Sequence, residues 1–213
     1  DPWTVRNKYI DVILDRTERV IKHFQDEYFL PELSDEEKVC GMELLEIQRQ
    51  AMLMYTSCGW FFSEISGIET TQIMKYAARA MQLAENYTTK DLESKFLDIL
   101  SNAQSNFKEY GNGKNIYERF VKPSIVTLKQ IASLWAISSL YEDFDDEQDV
   151  YCYKITRKSY KKVQKSNMNF VVGHIEVLSK VTLKKSDLMF VLMQYQGGDF
   201  HCAIKDFDSE AEY

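Results

Sequence analysis

Glu142-Asp143-Phe144-Asp145-Asp146-Glu147 separates two kinds of sequence periodicity in this chain. Before it, apolar residues recur at helical spacing. After it, β-branched and aromatic residues come in short blocks typical of strands. Five carboxylates in six residues resist burial, so the stretch reads as a solvated linker and a boundary. The expected architecture is α+β: a mostly helical bundle over about residues 4–142, followed by a small, incomplete antiparallel β segment. The corresponding domains are 1–147 and 148–213.

Upstream of the acidic stretch, Ile10, Ile13, Leu14, Val20, Ile21 and Phe24 predict a helix that Leu30-Pro31 ends. Ser34-Asp35-Glu36-Glu37 is a capping box, opening a helix that should run to about Tyr55. The apolar arc of that helix is Cys40, Leu44, Ile47, Ala51, Met52 and Tyr55, with Glu43, Glu46 and Gln50 on the opposite side and Arg49 at the edge. Ser66-Gly67-Ile68-Glu69 reads as a second capping box, ahead of a helix reaching about Glu85. Its stripe is Ile73, Tyr76, Ala77, Ala80, Leu83 and Ala84, with alanines small enough for close helix approach. A third helix follows Thr89. A glycine-bearing loop covers Tyr110 to Lys114, and a long helix is expected from Asn115 to Tyr141, kinked or divided at Pro123.

Downstream, Val150–Ile155, Phe170–Leu178, Leu188–Tyr195 and Phe200–Ile204 read as four strands, with Gly197-Gly198 as a hairpin turn. Four strands make a poor independent sheet, which points to a piece of a larger β-domain. Lys154, Arg157, Lys158, Lys161, Lys162 and Lys165 fall on a strand and its following turn, where they suit a polyanion patch or, better, an edge strand guarded by lysine.

A length of 213 residues, with 45% hydrophobic and 28% charged residues, is that of an ordinary folded domain with room for an appendage. No apolar run is long enough for a membrane helix. Residues 1 to 149 carry 16 basic and 26 acidic side chains, and the rest carry 10 and 7. The overall −7 argues against nucleic acid as the main partner. Scattered Cys40, Cys58, Cys152 and Cys202 suggest buried thiols in a reducing, cytoplasmic compartment. His23, His174 and His201 lack ligand spacing, and His201-Cys202 on a strand point apart, so no metal and no cofactor is expected. No nucleophile motif or phosphate loop is present, because Gly111-Asn112-Gly113-Lys114 lacks the flanking strand. Asp1-Pro2-Trp3 and the acidic end both read as cuts in a longer polypeptide.

The informative stretch is Ser57-Cys58-Gly59-Trp60-Phe61-Phe62, where aromatics interrupt two helices. Gln48 lies within one apolar arc, and Glu69 lies on the apolar side of the next helix. Aromatic faces beside carboxylates and amides suit sugars, whose apolar ring faces stack while their hydroxyls hydrogen-bond. The competing reading makes Trp60, Phe61 and Phe62 a plug in the bundle, Glu69 a cap partner and Gln48 a satisfied buried amide.

The segment Met52 to Ala80, with Trp3-Thr4-Val5-Arg6-Asn7-Lys8-Tyr9-Ile10-Asp11 and Tyr117-Glu118-Arg119-Phe120-Val121-Lys122-Pro123, resembles the uncharacterised region after the catalytic barrel in some glycoside hydrolase family 57 proteins. The resemblance implies a non-catalytic helical region that packs on an N-terminal barrel and helps wall a cleft for an oligosaccharide or α-glucan. The barrel would supply the nucleophile and acid/base of a hydrolase or glucanotransferase. Better-known members carry Ser-x-Asp-Trp-Pro-Phe where this chain has Ser57-Cys58-Gly59-Trp60-Phe61-Phe62, so Gly59 replaces the aspartate and Phe61 the proline. The implied sugar-contacting residues are Trp60 and Ser57, with Glu64 or Glu69 compensating for the lost carboxylate; no catalytic residue is expected in this chain. The alternative is a non-enzymatic protein-interaction module. An independent enzyme using Glu64 and Glu69 with Tyr55 or Cys58 ranks last.

Overall fold

A computed structural model describes residues 1–165, 168–195 and 198–208. The fold is α+β, with helices first and a five-stranded antiparallel sheet after them. The chain divides into two compact units, Asp1–Ile125 and Val126–Tyr213.

The first unit holds α1 (Pro2–Lys8), α2 (Ile10–Leu14), α3 (Glu18–Tyr28), α4 (Asp35–Leu53), α5 (Cys58–Phe61), α6 (Ile68–Ala84), α7 (Leu92–Leu100) and α8 (Gly113–Ile116). The long α4 and α6 pack against each other. Helix α4 begins at the Ser34–Glu37 capping box: Ser34 Oγ accepts from the Glu37 amide, and the Glu37 carboxylate accepts from the Ser34 amide. The single helix expected from Ile10 to Leu30 is instead two, α2 and α3, with α1 ahead of them. Asp15 accepts from the Thr17 amide and ends α2, while Arg16 reaches away to Glu46.

Two further expectations in this unit are corrected. Ser66 does not cap α6: its backbone N–H donates to Glu64 Oε1, and Gly67 takes the cap position. The face assigned to α4 is reversed. Leu44, Met52 and Tyr55 are exposed, while Met42, Glu43, Leu45, Glu46 and Gln50 are buried. Residues 115–141 also do not form one helix. After α8 come a wide π turn (Tyr117–Val121), a 3-10 turn (Lys122–Ser124) at Pro123, and an extended Ile125. Proline cannot supply the amide that a continuing helix needs, so Pro123 divides rather than kinks.

The second unit opens with α9 (Leu128–Ser138), restarted by a Thr127–Gln130 capping box. The sheet follows as β1 (Glu147–Val150), β2 (Tyr153–Lys165), β3 (Met168–Ser179), β4 (Lys185–Tyr195) and β5 (Phe200–Asp206), paired in sequence order. One face of β3 and β4 contributes Val171, Ile175, Val177, Leu188, Phe190 and Leu192 to a core shared with Ile131, Ala132, Trp135 and Ala136 of α9. The Trp135 ring meets Phe144, Tyr160 and Phe190 at centroid separations of 5.6, 6.2 and 5.8 Å. Because the apolar side of α9 belongs to this core, the chain divides before that helix.

The acidic stretch is not a free linker. Asp146 pairs with Arg157 at 2.7 Å, Glu147 starts β1 and pairs with Lys154 at 2.8 Å, and Phe144 packs on Trp135. All six basic residues of the cluster lie on β2 itself. Among the described residues, β1 covers β2 only at Tyr153–Thr156 and leaves the remainder of β2 as a sheet edge. Gly197 of the expected turn lies outside the described residues, and Gly198 carries a φ of +96°. The cysteines are not buried: Cys58 and Cys152 are exposed, and Cys40 and Cys202 are intermediate. Among the described residues no helix is long and apolar enough to cross a membrane.

Candidate functional site

The aromatic segment is a short helix pinned by one face. Gly59 is buried against Ile73 of α6, leaving no room for a Cβ. The Thr70 hydroxyl donates a 3.0 Å hydrogen bond to the Gly59 carbonyl. With Gly59 held inward, the neighbouring side chains turn outward: Trp60 is 71% exposed, Phe61 73% and Phe62 52%. The Phe61 and Phe62 rings pack edge to face at 5.2 Å. These aromatics do not plug the bundle. Gly59 therefore serves close packing, a role an aspartate could not fill at this separation.

Of the polar residues expected here, Ser57 is exposed at the start of α5 and caps nothing with its side chain. Glu64 faces inward to the next loop. It accepts from Ser105 Oγ at 2.7 Å, from the Asn106 amide at 2.8 Å and from the Ser66 amide at 2.9 Å. Desolvation acts to raise its pKa, but these hydrogen bonds to the ionised form outweigh it and hold the carboxyl at about 2. A carboxylate so engaged is a loop staple and a poor acid or base. Glu69 lies in the first turn of α6 with its carboxylate beside Gly67. Ser57, Cys58, Trp60 and the two phenylalanines share the exposed segment.

Gln48 is exposed rather than a buried amide. It lines a cavity of about 570 Å³ bounded mainly by Trp3, Phe29, Leu30, Leu33 and Leu44. The walls are mostly apolar.

Sequence reasoning missed the buried polar network on α4. Glu46 is 1% exposed and accepts from Tyr9 at 2.6 Å, Arg16 at 2.6 Å and Arg49 at 3.3 Å. Burial opposes its ionisation, but the bonds from Tyr9 and Arg16 prevail and its pKa is lowered. Burial, with the Glu46 carboxylate, pushes the Tyr9 hydroxyl well above its ordinary range. One turn earlier, Glu43 accepts from Tyr87 at 2.6 Å and Asn86 at 3.3 Å. Met42 and Leu45, which flank both carboxylates, were the available signal. His201 is exposed while Cys202 turns to the α9 core, so the two point apart as a strand requires. Among the described residues no group of three or more His, Cys, Asp or Glu is placed to hold a metal.

No curated protein and no solved structure matches this chain significantly. A family model described as "Domain of unknown function (DUF3536)" matches residues 1–213, and the chain belongs to that family.

Proposed function

We propose that this domain is a non-catalytic region of a glycoside hydrolase family 57-like enzyme. In this reading it packs on a catalytic barrel carried elsewhere in the same polypeptide and offers Trp60 as a wall of the sugar cleft. The observation that carries the proposal is the outward display of Trp60 and Phe61 on a helix locked by Gly59 against Ile73. Large exposed aromatics on a fixed backbone make a low-entropy stacking platform, and a sugar ring needs little more than such a face with hydrogen-bonding groups nearby. Ser57 supplies a hydroxyl on the same segment. Glu64 is spent on its loop and drops from the sugar-contacting set, leaving Glu69 as the carboxylate nearest in sequence to that role.

The test uses intrinsic fluorescence. Trp135 is buried, so a Trp3→Phe background leaves Trp60 as the solvent-facing indole. Titration with maltooligosaccharides should give a saturable change that Trp60→Ala abolishes without altering the melting temperature. In the polypeptide that carries the barrel, Trp60→Ala should lower turnover or sugar affinity. No fluorescence change, together with concentration-dependent self-association, favours the interaction-module reading. The exposed Leu44 and Met52 on α4, with exposed Tyr55 just past its end, give that second reading its support.

A further inference from the structure

Strands with one wet face alternate apolar and polar residues, whereas strands covered on both faces are apolar throughout. Leu188-Met189-Phe190-Val191-Leu192-Met193 of β4 and Phe170-Val171-Val172 of β3 do not alternate. Val171, Leu188, Phe190 and Leu192 enter the α9 core. Their neighbours Phe170, Val172, Met189, Val191 and Met193 point to the opposite face, where Val172 faces Val191, Phe170 faces Met193, and all five are only half-buried. Helix α9 is the only helix among the described residues of this unit, and it lies over β3, β4 and β5 on the other face.

The flanks of this apolar strip are basic. Lys161 pairs in register with Val172, Lys165 with Met168, and Lys205 with Met189, which puts the three lysines on the strip's face along β2 and β5. None of the three has a carboxylate partner among the described residues. Lys154, Lys158 and Lys185, by contrast, pair with Glu147 or Glu176. At one end Phe207 stacks on His174 with a 4.0 Å centroid separation.

We propose that this second sheet face docks an amphipathic helix whose apolar side is flanked by glutamate or aspartate. The strip lies on β3 and β4 with β2 and β5 as its flanks, and strands about 4.8 Å apart make that span wide enough for one helix about 10 Å across. The opposite face already accommodates α9 over the same strands. Acidic flanks would neutralise Lys161, Lys165 and Lys205. Pairing of this face with the same face of a second copy would set lysine flanks against lysine flanks. The proposal is independent of the sugar-cleft reading, which concerns the first unit.

The whole chain, labelled at its methionine methyls, would be titrated with a synthetic helical peptide of about four turns carrying a leucine face flanked by glutamates. A control peptide would carry lysines in place of the glutamates. Of the eight methionines, Met189 and Met193 should shift. Binding should weaken with added salt and fall by about tenfold in Lys161→Glu/Lys165→Glu, whose sites are exposed and leave the fold intact. Shifts at methionines off this face, which also carries Met168, or equal binding of the lysine-flanked peptide, overturn the proposal. So does loss of the two signals on concentrating the protein alone, which assigns the face to a second copy. Shifts produced by anionic vesicles but not by the peptide assign it to a lipid surface and equally overturn it.

Discussion

The Tyr9 hydroxyl donates a 2.6 Å hydrogen bond to Glu46 Oε1 across 37 residues of sequence, and Arg16 reaches the same oxygen at 2.6 Å. This small network joins the first helices to the buried side of α4. Removing one member takes a short hydrogen bond from a low-dielectric interior. Tyr9→Phe should cost about 1–3 kcal/mol in urea unfolding, the loss of a hydrogen bond to a charged group. Glu46→Ala should cost about 3–5 kcal/mol, because it removes the buried carboxylate on which Tyr9, Arg16 and Arg49 converge. Equal, near-zero losses would show that the network is dispensable.

Glu64 sets an acid limit. Its folded pKa of about 2 lies below the ordinary value of 4.5, so folding favours the ionised form. The stability it contributes is fully present above pH 4.5 and is lost as pH falls towards 2. Glu46 is shifted in the same direction. The urea midpoint should therefore drop through this window. Glu64→Gln should lower the midpoint at pH 7 and flatten the acid decline. An unchanged pH profile in that variant would assign the decline to other carboxyls.

A methyl group at Gly59 has nowhere to go while Ile73 keeps its place. Gly59→Ala should destabilise by about 1–3 kcal/mol through overpacking. Gly59→Ala/Ile73→Ala should recover part of that loss, giving a coupling of about 1 kcal/mol in a double-mutant cycle. Additive losses would mean that the α5 backbone simply moves.

Two tryptophans should behave oppositely. Trp60→Ala should change unfolding free energy by no more than about 0.5 kcal/mol, as for an exposed site. Trp135→Ala removes the ring at the centre of the α9–sheet core and should cost about 3–5 kcal/mol. Near-ultraviolet circular dichroism would follow Trp135, whose ring is fixed among three others.

Local signals mark the start of α4 but mislead at Ser66, whose amide is taken by Glu64 two residues before it. The Ser34–Glu37 box marks the start of α4 because both of its hydrogen bonds close within four residues. Apolar runs locate β3 and β4, since extended backbone and β-branched side chains favour each other. The Thr127–Gln130 box is equally local, but the helical periodicity on both sides of Pro123 masks it.

By itself, the sequence determined the element types, the helical-then-strand order and the position of the aromatic segment. Only the tertiary structure decided which face of α4 is buried. Periodicity placed Glu43 and Glu46 outside because an unpaired carboxylate is costly to bury. Tyr87 and Tyr9 with Arg16, brought from 44, 37 and 30 residues away, remove that cost and leave Leu44 and Met52 exposed. The direction of Trp60 was settled the same way, by the close approach of Gly59 to Ile73 fourteen residues on.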